Sequence, residues 1–247
     1  MRICFVASIF ANSYREADKP SHFNTIKEFD YYLFTNLPKD SFKTSWNVIN
    51  VANQFNDTNI ESNIIKSRYP KFMGWKLIKD VLKKDYDVIF YCDGVWVPKD
   101  KNYDFWINTG KQIIEHPSGL MAQRHTRTAN RPDFDAYAEC KSIVQAKKDT
   151  NIRMDKTKEF LIKHNFPKRL LMVVNTNFGY NPNNINLTAA LSDFWNEYST
   201  YNTSHRDQPL WSYFMWKHNI KPNLSWNCNK YFYETKGKGW SNHKYVK

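Results

Sequence analysis

No glycine-rich phosphate loop is written into this chain. It has seven glycines in 247 residues and contains neither GxxxxGK[ST] nor GxGxxG. That excludes the usual phosphate-cradling turns of P-loop and dinucleotide-binding proteins. HExxH and CxxC pairs are also missing, which argues against a zinc enzyme. Without GxSxG, a hydrolase of the nucleophile-elbow type is excluded as well. No repeat, low-complexity block or linker interrupts the chain. Its four cysteines, Cys4, Cys92, Cys140 and Cys228, stand far apart and read as free thiols of a reducing compartment. The apolar run 3–10 is too short for a signal-peptide core or a membrane span. The resulting expectation is a soluble, cytoplasmic protein without a transmembrane segment.

What is present is aromatic and basic. Aromatic residues make up 17% of the chain, and the formal net charge is +12. The first argues for a packed core rather than disorder; the second favours an anionic partner such as a phosphorylated small molecule or nucleic acid. The lysines are scattered, and the basic residues do not interleave with aromatics in one stripe. This pattern weighs against single-stranded nucleic acid, which binds along such stripes.

Strand-like runs fall at 2–9, 31–34, 46–51, 88–91 and 170–176. Helical spacing occupies 59–84, with Pro70 as a break, and then 103–114, 135–160, 192–198 and 208–218. Residues from 221 onward read as loop. Strands alternating with helices over the first 100 residues predict an α/β fold with a mostly parallel, Rossmann-like central sheet flanked by helices. The whole of 1–247 reads as one domain, with a ligand-binding half (1–100) and a second half (101–247) built on the same sheet.

The most informative segment is 85–97, DYDVIFYCDGVWV. A β-branched and aromatic run stops at Cys92-Asp93-Gly94. A carboxylate at the end of a buried strand, followed by a glycine, lies where open α/β sheets bind ligands. It can hold a hard cation or take a proton; it can also simply cap a turn. Other polar clusters border apolar segments. Arg68 and Lys71 read as cations suited to a diphosphate or as a solvated helix start. Asn175 and Asn177 end a strand. Ser204 to Gln208, with Arg206 and Asp207, opens a helix, where an N-cap is an equally good reading. His125 and Arg127 read as surface. Trp75 and Trp240 are candidates for stacking on sugar, with burial the simpler reading.

In this order the clusters resemble a plant and microbial glycosyltransferase-like family, once classed as a domain of unknown function and typified by seed-mucilage and pollen-turgor proteins. The matching elements are Phe34-Thr35-Asn36, Arg68-Tyr69-Pro70-Lys71, Tyr91-Cys92-Asp93-Gly94, Tyr137-Ala138-Glu139 and Ser204-His205-Arg206-Asp207-Gln208, over about residues 1–220. Soluble glycosyltransferases of large algal viruses look similar in size and layout. The resemblance implies a GT-A fold and transfer of a sugar from a nucleoside-diphosphate sugar, UDP-sugar favoured, to a glycan or glycoprotein acceptor.

It further implies Mn2+ or Mg2+ at a DXD-like motif. Cys92 and Val95 replace two of that motif's positions, leaving Asp93 as a metal ligand, with His243 as a possible second. Donor contacts are expected at Val6, Ala7, Ser8, Thr35, Arg68, Lys71, Asp93 and Gly94. Acceptor contacts are expected at Asn175, Asn177, Arg206 and Gln208. Asp207 is the expected general base, with Glu139 next. The alternative is a non-catalytic carbohydrate- or nucleotide-binding protein of the same fold, or a single-stranded nucleic-acid binder.

Overall fold

The structure is a computed structural model; it describes residues 1–235 except Pro132, Tyr201 and the side chain of Ala129. His243 and Trp240 lie outside the described residues. In chain order the elements are β1 (Ile3–Ile9), β2 (Asp30–Thr35), β3 (Asn47–Asn50), α1 (Asn63–Leu77), β4 (Val88–Asp93), β5 (Trp96–Pro98), α2 (Tyr103–Glu115), β6 (Leu120–Arg124), α3 (Thr126–Asn130), α4 (Ala136–Gln145), α5 (Asn151–Lys163), β7 (Val173–Tyr180), α6 (Ile185–Tyr198), α7 (Asp207–Lys217), α8 (Cys228–Tyr231) and β8 (Phe232–Glu234).

A six-stranded sheet runs in the order β3-β2-β1-β4-β7-β6. β1 to β4 are mutually parallel, and β7 is antiparallel to both of its neighbours. The fold is therefore α/β with a mostly parallel, Rossmann-like sheet flanked by helices. Both faces are covered, which is why its strands read as continuous apolar runs. The period-2 alternation divides the side chains between two cores. Cys4, Val6, Ile89 and Tyr91 face α1, α6 and α7. Ile3, Phe5, Ala7, Phe90 and Cys92 face α2 and the segment around Trp226. By the same alternation Ser8 and Asp93, partners in the β1–β4 register, lie on the α1 face.

Several sequence expectations shift. Pro70 does not break the helix; it lies inside α1, and the irregular backbone comes three residues later at Met73 (φ −109°, ψ 18°). The expected helix 135–160 is two helices, α4 and α5, separated by a turn with Lys147 at φ 53°. The sequence pattern marks no strand at β6, and β7 begins later and runs further than the expected 170–176. The tail beyond 221 contains α8 and β8, and β8 pairs with β5. Among the described residues no helix is long and apolar enough to cross a membrane.

Candidate functional site

The site begins with a close approach. A Cβ on Gly94 would overlap Ile9 Cγ1 and lie 2.8 Å from Ile9 Cδ1 and 3.0 Å from the Ser8 carbonyl oxygen. Only glycine lets β4 turn against the end of β1 and present Asp93. The Thr235 backbone N–H and hydroxyl both donate to the Val95 carbonyl, at 2.7 and 2.8 Å, so the β5–β8 pair fastens the chain just beyond this turn. Gly94→Ala is expected to cost about 1–3 kcal/mol as an overpacked position and to displace Asp93. Chemical denaturation of the variant measures it, and an unchanged midpoint would contradict the close approach.

Asp93 receives the Tyr91 hydroxyl on Oδ1 at 2.9 Å. Tyr91 in turn shares a 3.1 Å hydrogen bond with Ser8 Oγ, and Ser8 Oγ reaches the Ser67 carbonyl of α1 at 2.8 Å. Burial, then the Asp93 charge, raises the Tyr91 phenol well above its ordinary value, so it remains a proton donor to Asp93.

Arg68 and Lys71 stand three residues apart on α1 and therefore share one helix face. Neither is a solvated helix start. Lys71 is 2% exposed; its Nζ lies 3.0 Å from Asp207 Oδ2 and 3.4 Å from Asp93 Oδ1. Arg68 Nε lies 3.0 Å from the same Asp207 oxygen, close as an ion pair but misaligned as a hydrogen bond. Asn175 Nδ2 donates to Asp207 Oδ1 at 3.0 Å. Burial alone would push the Asp207 carboxyl up, but Lys71 and Arg68, with the Asn175 hydrogen bond, hold it at about 2. Burial opposes the Arg68 charge, and Asp207 more than offsets that, leaving its guanidinium firmly protonated.

Asp207, the expected general base, meets two cations, and a carboxylate held near 2 is a weak base at neutral pH. It anchors Arg68 and Lys71. The start of α7 is positioned in turn by Asp149, which the sequence reading missed. The Asp149 carboxylate accepts the Ser204 hydroxyl at 3.0 Å and the His205 backbone N–H at 2.7 Å. AKKDTN has no glycine or proline; its one advance signal is the run Asp149-Thr150-Asn151, in which Thr150 caps α5.

The other expected contacts divide. Val6, Ala7 and Thr35 are fully buried inside the sheet, and Ser8 is buried at its end. Asn177 is fully buried and accepts the Trp226 indole N–H at 2.8 Å. It therefore belongs to the face opposite Asp207, because the register shift between Ala122 and Arg124 changes the parity of β7 between Asn175 and Asn177. Gln208 Nε2 reaches the Val173 carbonyl at 3.4 Å, and Arg206 is half-buried. Glu139 is buried on α4 and meets Arg127 at 3.6 Å, not the Asp93 cluster. Trp75 is half-buried, and its backbone N–H donates to Tyr180 Oη at 3.1 Å.

Among the described residues no group of three His, Cys, Asp or Glu side chains gathers at one point. The Asp93 side chain is 36% exposed, and its hydrogen-bond and ion-pair contacts with the described residues fall on Oδ1, not Oδ2. One carboxylate oxygen does not make a protein-built cage. It suits Mg2+, or Mn2+ of similar chemistry, that takes most of its ligands from phosphates and water. No protein-family model and no curated protein matches the chain.

Proposed function

We propose that the chain is a glycosyltransferase that binds a nucleoside-diphosphate sugar, of which a UDP-sugar is the favoured form, at the carboxyl edge of its sheet and passes the sugar to a glycan or glycoprotein acceptor on a GT-A-type fold. The observation that carries this reading is the buried Lys71 meeting Asp93 at the end of β4, with the half-buried Arg68 beside it on α1 and both cations sharing Asp207. Open α/β sheets bind ligands outside the carboxyl ends of their strands, and buried cations there are suited to phosphate oxygens.

The charge balance indicates how binding proceeds. Two cations face two carboxylates, Asp93 and Asp207. The Lys71–Asp207 contact is short and buried; the Lys71–Asp93 contact is longer and part-exposed. A phosphate oxygen takes the place of Asp93 Oδ1 at Lys71, while Asp207 keeps Lys71 and Arg68 in position. Asp93 stays tied to Tyr91 and turns Oδ2 to the donor. A divalent ion arriving with the diphosphate would be held by Asp93 and would neutralise charge on the departing nucleotide.

A second reading, a nucleotide-sugar-binding protein without turnover, is favoured by the low proton affinity of Asp207, which leaves no assigned base. A thermal-shift panel of nucleoside-diphosphate sugars, with and without Mn2+, tests binding by mass action. Product analysis then tests transfer. One donor family is expected to raise the melting temperature and release its nucleoside diphosphate; stabilisation without release would select the second reading.

A further inference from the structure

A cleft of about 560 Å³ opens between α3 and α4, lined among others by Arg127, Arg131, Asn130, Phe134, Ser142 and Gln145. Its volume is that of a small-molecule site. Among the described residues its lining carries two guanidinium groups and no carboxylate.

Arg127 is held in place. Its guanidinium lies 5.5 Å from the Phe134 ring centroid, and Phe134 stacks on His125 at 5.9 Å and 3°. Beneath the cleft, Arg127 Nη1 meets the buried Glu139 at 3.6 Å, and no aligned hydrogen bond reaches Glu139 Oε2. Burial pushes the Glu139 carboxyl up, while Arg127, then Lys148 and Arg206, act against it. Arg127 is the cation that pairs with Glu139, while Lys148 and Arg206 act on it from further away. Arg206 directly precedes Asp207 in the chain, so this cationic group adjoins the Asp207 cluster.

We propose that the α3–α4 cleft is an anion site for a carboxylated or phosphorylated saccharide, with Arg127 and Arg131 gripping the oxyanion and Asn130, Ser142 and Gln145 meeting hydroxyls. Guanidinium forks match carboxylate and phosphate oxygens in paired hydrogen bonds. The neutral polar side chains beside them suit an uncharged, hydroxyl-rich remainder. The inference does not depend on turnover of a donor at Asp93.

Calorimetric titration with D-glucuronate, glucose 6-phosphate, inorganic phosphate and D-glucose in moderate salt tests it on the whole protein. At least one charged sugar is expected to bind saturably and more tightly than inorganic phosphate or glucose, and the sugar that binds distinguishes carboxylate from phosphate. Affinity is expected to fall about tenfold or more in R127Q/R131Q. It should also fall in R131Q alone, which leaves the Arg127–Glu139 pair intact. K111Q/K163Q removes the same charge from exposed positions on α2 and α5 and should bind like the parent. Absence of saturable binding by either charged sugar, binding of inorganic phosphate as tight as that of the sugars, or equal loss in K111Q/K163Q would overturn the proposal.

Discussion

Asp207→Ala is expected to lower folding stability by about 3–5 kcal/mol, the usual cost of removing one partner from a buried ion pair. Arg68 and Lys71 would remain on α1 without their shared buried partner. Lys71 would retain only the part-exposed Asp93, and Asn175 would lose its acceptor. The effect carries a pH signature. Asp207 is held at about 2 against an ordinary value of 3.8, so its folded-state pKa is depressed. Its contribution is then fully present above about pH 4 and is lost as pH falls through about 2. The shift corresponds to about 2 kcal/mol. Acid titration of stability should show this loss in the parent and not in Asp207→Asn. A parent and variant with parallel acid profiles would show that Asp207 is not the anchor.

Lys71→Met has the second large effect. Methionine fills most of the same volume, so the loss is electrostatic rather than a cavity. Of its two cations Asp207 would keep only Arg68, beside the Asn175 hydrogen bond, and about 3–5 kcal/mol of stability is again expected to go. Because the two residues share one network, the double variant K71M/D207N should cost less than the sum of the single changes. Additive costs in denaturant titrations would mean that the 3.0 Å contact carries no coupling. A variant as stable as the parent would mean that the Lys71 charge is neither desolvated nor paired.

Much of this site can be read from the sequence, for physical reasons that differ from residue to residue. Asp93 and Gly94 were visible because a β-branched and aromatic run that stops at an acid and a glycine marks the carboxyl end of a buried strand, although a turn cap reads the same way. Arg68 and Lys71 were visible as cations on one helix turn, but the burial of Lys71 and their shared contact with Asp207 were not. Pro70 between them signals a break, yet the helix continues and its irregularity falls at Met73. Asp207 was visible as a helix-start acid, and an N-cap and a buried anchor look alike in sequence. Only the tertiary placement of α7 against α1 separates them.

β6 is not legible in the sequence because LMAQR has no β-branched residue, and its pairing with β7 is supplied by tertiary contact. The α4–α5 break escaped for want of glycine or proline; it is stabilised by Asp149, whose partners Ser204 and His205 are far along the chain. Asn175 and Asn177 look equivalent in sequence. The register shift in β7 sends one to Asp207 and the other to Trp226.

The claim that joins these observations is that the Arg68–Lys71–Asp93 mouth receives a nucleoside diphosphate. Titration of UDP, GDP, ADP and CDP into the parent and Asp93→Asn, each with Mn2+ and with chelator, tests it directly. Asp93 is part-exposed, so its conservative variant should fold. One nucleotide is expected to bind saturably to the parent and about tenfold or more weakly to Asp93→Asn, a loss of at least about 1.4 kcal/mol. Binding of no nucleoside diphosphate under either condition, or equal affinity in parent and variant, would contradict the account.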